Sequence, residues 1–83
     1  MILGERAELR FRVESMNGEI SVSKAEFVAY LDDVIQDSGI VTVTDNILSF
    51  IFEPQHAGFY LIQITYEVGV ERRIARFTVE VKE

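Results

Sequence analysis

The chain has 83 residues, a formal net charge of −6, 48% hydrophobic and 11% aromatic residues, and neither cysteine nor tryptophan. This is one domain near the lower size limit for folding alone, too apolar for a disordered tail, and without cysteine it has neither a disulfide framework nor a thiolate metal site. The acidic balance repels phosphate backbones, so no nucleic-acid partner is expected; no stretch approaches the ~20 apolar residues of a membrane-spanning helix, so no membrane insertion is expected.

Alternation with period two, the signature of strands, dominates from the start. "AELRFRV" sets Leu9, Phe11 and Val13 against Arg10, Arg12 and Glu14. Asn17-Gly18 tolerates positive φ and marks a turn. "EISVS" alternates Ile20 and Val22 with serines. "AEFVAYL" fits a strand with Phe27, Ala29 and Leu31 on one face and Val28 and Tyr30 on the other. A helix capped by Ser23, with Glu26 completing a capping box, is the rival for Lys24 to Leu31. The strand is preferred because its β-rich neighbours need pairing partners.

Asp32-Asp33 and "QDSG" are read as turns, and "IVTVT" as a β-branched strand. Asp45-Asn46 turns into "ILSFIFE", where Leu48, Phe50 and Phe52 share a face. Pro54 stops pairing because it has no amide hydrogen. "FYLIQITYEV" is the longest strand, and a hairpin at Gly69 returns "ERRIARFTVEV". The sum is about seven short strands, which predicts an all-β fold: an immunoglobulin-like β-sandwich of antiparallel strands in Greek-key order, one domain over residues 1–83. A helix over Lys24 to Leu31 would instead give an α+β fold.

Within "HAGFYLI", Gly58 and Tyr60 resemble the tyrosine corner of immunoglobulin-type folds, D-x-G-x-Y-x-C. His56 stands where that pattern has Asp, and Ile62 where antibody domains have Cys. The run "P-x-x-x-G-x-Y-x-I-x-I-x-Y" is similar to the end of bacterial and phage immunoglobulin-like domains, and loosely to filamin-type repeats. The closing "YEVGVERRIARFTVEV" resembles the last two strands of small domains in tailed-phage structural proteins. The resemblance covers Pro54 to Val81 well and the rest loosely. It implies a buried tyrosine whose hydroxyl turns back to the backbone, and a non-enzymatic module attached to larger assemblies, with no catalytic residues to carry over.

Chemistry finds little foothold in the residues themselves. His56, the only histidine, lacks a nucleophile-elbow serine among Ser15, Ser23 and Ser38, and reads as a loop residue. Asp32, Asp33, Asp37, Asp45 and Glu53 sit in or beside expected turns, where aspartate bonds nearby backbone; the spacing of a calcium loop is missing, and calcium binding is not expected. A carboxylate pair flanking a sugar needs a cleft for which a small sandwich has little room. No catalytic, cofactor or metal residues are assigned.

Two surfaces remain. Arg10, Arg12 and Arg76 alternate outward, and would form a basic stripe if the first and last strands lay side by side; pairing with Glu8, Glu14 and Glu80 is the plainer outcome. If Tyr60, Ile62 and Ile64 point inward, Phe59 and Leu61 point outward, and Tyr30 and Ile51 oppose inward neighbours in the same way. These four residues define an expected apolar contact patch. The expected function is a structural or interaction module of a phage virion or bacterial surface protein, working through a protein partner or self-association. The alternatives are a carbohydrate-binding module, disfavoured by the missing tryptophan, and a small enzyme inhibitor, disfavoured by its polar, acidic loops. "MILGERAELRF" lacks the long apolar region of a signal peptide, as expected of a cytoplasmic protein or of a domain cut from a larger one, and "FTVEVKE" ends with its strand, which favours the domain or a very compact gene product.

Overall fold

The structure is a computed structural model that describes residues 1–14 and 21–83. Among them are seven strands: β1 (Ala7–Arg12), β2 (Val22–Leu31), β3 (Val34–Ile40), β4 (Thr42–Thr44), β5 (Ile47–Phe52), β6 (Gly58–Val68) and β7 (Glu71–Val81). They form two antiparallel sheets, one ordered β1-β5-β4 and the other β3-β2-β6-β7. The expected Asn17-Gly18 turn, Ser15 and Ile20 lie outside the described residues.

The core between the sheets is made by alternation. Leu48, Phe50 and Phe52 of β5 are buried against Phe27 and Ala29 of β2 and Tyr60, Ile62 and Ile64 of β6. Leu9 and Phe11 of β1 and Phe77 and Val79 of β7 pack against them from the flanks. Phe50 stacks on Phe27 with centroids 4.2 Å apart, and Phe11 meets Phe77 at 4.5 Å. Lys24 to Leu31 is strand throughout, paired with β6, and not the rival helix.

Two-residue hairpins join β2 to β3 and β4 to β5. Asp32 and Asp33 have φ of 51° and 64°, and Asp45 and Asn46 have 50° and 64°. Positive φ at both central residues is the type I′ pattern, which matches the twist of a two-stranded ribbon. Gly69 (φ 60°) and Val70 turn β6 into β7.

The element count matches expectation, but the chain is divided differently. "QDSG" is not a turn. It lies inside β3, where Asp37, Ser38 and Gly39 pair with Ala29, Val28 and Phe27, and Gln36 is the extra residue of a bulge. "EISVS" and "AEFVAYL" are not two strands, since the described part of the first runs into β2 through an irregularity between Val22 and Lys24. "IVTVT" is split: Ile40 ends β3, buried Val41 crosses between the sheets, and only Thr42–Thr44 form β4. The crossing is anchored where the Val41 N–H donates to the Ala25 carbonyl at 3.0 Å.

Candidate interaction surface

The outer face of the four-stranded sheet brings together residues distant in sequence. Register places Ile35 beside Tyr30, Tyr30 beside Leu61, and Leu61 beside Thr78, in one row across β3, β2, β6 and β7. Phe59 lies two residues before Leu61 on the same face of β6, opposite Glu80. Phe59 is 68% exposed, Ile35 60% and Leu61 37%, and Tyr30 is half-buried. Three of the four residues expected in the patch thus share one face. Ile35 was missed, because its segment read as part of a turn.

Ile51 does not join them. It is 52% exposed, but it lies on β5 of the other sheet, opposite Glu8 of β1. Alternation had placed it correctly on an outward face, but that face belongs to the opposite side of the sandwich.

The basic stripe is not assembled either. β1 pairs with β5 and β7 with β6, so the first and last strands are in different sheets. Phe11 and Phe77 face each other across the core. Arg10 and Arg12, alternating with Phe11, therefore point away from Arg76, which precedes Phe77. Arg10 is hydrogen-bonded to Glu8 on its own strand, and the Arg76 Nε donates to Gln63 Oε1 at 3.0 Å. Arg73 donates twice to Glu71, whose hydrogen bond and charge raise the guanidinium pKa further above its already high value.

The opening of β6 is a structural corner. The Tyr60 hydroxyl donates to the His56 carbonyl at 2.8 Å and accepts from the His56 N–H at 3.3 Å. The ring is 1% exposed and meets Phe52 edge-on at 5.3 Å. Gly58 has φ of 140°, and a Cβ there would stand 2.8 Å from the Leu31 Cδ1. The backbone therefore requires glycine, and an added Cβ would also push the end of the Leu31 side chain aside. His56 contributes backbone groups, while its side chain is exposed.

The acidic residues are dispersed. Asp32, Asp33 and Asp45 occupy hairpin turns, and Asp37 lies in mid-strand. Among the described residues, no three histidine, aspartate or glutamate side chains are grouped so that they could hold a metal ion. Asp37 and Glu53 do line one cleft, of about 420 Å³, on the open side between β3 and the end of β5. A second cleft of about 390 Å³ continues along β3 past Glu8.

Comparison with known proteins adds no relative. No family model, no curated protein and no solved structure matches the chain.

Proposed function

We propose that this domain is a non-catalytic interaction module that works by burying the outer face of its four-stranded sheet against protein, in the first instance a second copy of itself. The observation that carries the reading is the continuous row Ile35–Tyr30–Leu61 with Phe59 beside it. Exposed large apolar side chains are ordinary when scattered, but a contiguous group marks a contact surface.

We read the sandwich as immunoglobulin-like. Support comes from the strand order: β1-β5-β4 corresponds to B-E-D of that fold, and β3-β2-β6-β7 to C′-C-F-G. The hydroxyl of Tyr60 reaching back to His56 supports it further. Among the described residues, the segment before β1 makes only one parallel bridge, from Ile2 to Lys82 beside β7. The similarity of the closing hairpin to phage structural domains favours a place in a virion or on a bacterial surface.

Sedimentation equilibrium of the full chain tests the reading. Wild type is expected to associate with rising concentration, and Phe59→Asp to be a folded monomer. Two monomers, or a Phe59→Asp protein that associates like wild type, would overturn it.

A further inference from the structure

We propose that the free edge of β3 docks an extended segment of another protein, one that carries lysine or arginine opposite Asp37. The proposal rests on the interaction-module reading but uses the backbone edge of β3, which adjoins the Phe59 patch at Ile35.

Strand β3 is the outer strand of its sheet, paired with β2 on one side only among the described residues. All its residues except Gly39 are exposed, with Ile40 at 88%. Long apolar edges invite pairing with other chains, and natural sheets guard them with charges, including inward-pointing ones. The other long edge strand of the sheet, β7, carries Glu71, Arg72, Arg73, Arg76 and Glu80, whereas β3 carries Asp37 alone, at its middle position. Asp37 pairs with fully buried Ala29, so it lies on the inward face, and it lines both clefts on this side. The clefts lie where β4 pairs with β5 only as far as Ser49, leaving the backbone edge of Phe50 to Phe52 without a strand partner on that side among the described residues. An unpaired edge and a cleft lined mainly by polar groups therefore lie side by side.

Charge decides the occupant. A second copy pairing antiparallel about the middle of β3 would set Asp37 against its own counterpart, and like charges directly opposite are destabilising. The first cleft adds Glu53 and the cation Arg6, and the second adds Glu8. Glu8 is engaged by Arg10. A cationic side chain on an incoming strand meets Asp37 and Glu53, while its backbone supplies the ladder bonds of strand addition. The same carboxylate that rejects a second copy thus selects a basic partner.

The test is an NMR titration of the nitrogen-15-labelled full chain with three synthetic peptides. Each is nine residues of alternating valine and threonine: one has a central lysine, one a central glutamate, and one the lysine plus alternate prolines. The lysine peptide is expected to shift the amide signals of residues 34–40 and to bind about fivefold tighter than the glutamate peptide. The proline peptide should not bind. Asp37→Lys should invert the preference, and the near-isosteric Asp37→Asn should abolish it if the lysine variant fails to fold. No shift at 34–40, binding indifferent to peptide charge, or pairing of β3 with a second copy would each overturn the proposal. If the peptides fail while wild type still associates through Phe59, the proposed function stands and only this edge falls. If the lysine peptide binds while Phe59→Asp changes nothing, the reverse holds.

Discussion

Tyr60 and Gly58 hold the corner where the chain enters its longest strand, and each does so through a feature that one substitution removes. The Tyr60 hydroxyl satisfies both backbone groups of His56, at 2.8 and 3.3 Å. Tyr60→Phe keeps the ring against Phe52 but leaves those groups without that partner. A loss of about 1 kcal/mol is expected, read from the urea midpoint at unchanged slope. Gly58→Ala meets two obstacles, the φ of 140° and the Leu31 methyl 2.8 Å from the new carbon. Its cost should be about 1–3 kcal/mol. In a double-mutant cycle, Leu31→Ala should recover the part that comes from contact and leave the backbone part. The glycine and the tyrosine were legible in the sequence because the corner is a local motif with fixed spacing.

At the scale of elements, the two type I′ turns use L-residues where glycine is favoured, and they differ in what their side chains do. Asp33 has φ of 64°, so Asp33→Gly is expected to stabilise by about 0.5–1 kcal/mol in the same denaturation assay. Asn46 has the same φ, but its Oδ1 accepts from the Val22 N–H at 3.2 Å and its carbonyl accepts from Val13 at 2.9 Å. Asn46→Gly should therefore gain much less than Asp33→Gly, or lose stability outright, because it surrenders the side-chain bond that ties the hairpin to the start of β2. These turns were readable from composition, as were β1, β5, β6 and β7, whose buried faces impose alternation. Strand β3 was not readable. It is exposed on both faces, so burial writes no period into it, and Gln36 to Gly39 have the composition of a turn. Its strand character comes from pairing with β2, which is a tertiary fact.

The whole molecule is longer than its residue count requires. Its radius of gyration is 13.5 Å, against about 12 Å for a compact chain of this length. The cause is the mismatch between eleven-residue β6 and β7 and the six-residue β1 and β5 that cover them. That mismatch leaves the wide sheet as the dominant surface. Its outer face was half legible: alternation assigned Tyr30, Phe59 and Leu61 outward but carried no information on sheet membership. Ile51 and the arginines were therefore grouped with residues that lie on the opposite side. The absence of cysteine makes the decisive measurement simple, because a single introduced thiol is unique. Thr78 is exposed and ends the row beside Leu61, whereas Thr44 is exposed on the other sheet. Each is replaced by cysteine in turn and treated with a short bis-maleimide at concentrations where wild type associates. A covalent dimer is expected from Thr78→Cys, abolished by adding Phe59→Asp, and monomer from Thr44→Cys. Equal cross-linking of both, or a dimer from Thr44→Cys alone, would contradict this expectation.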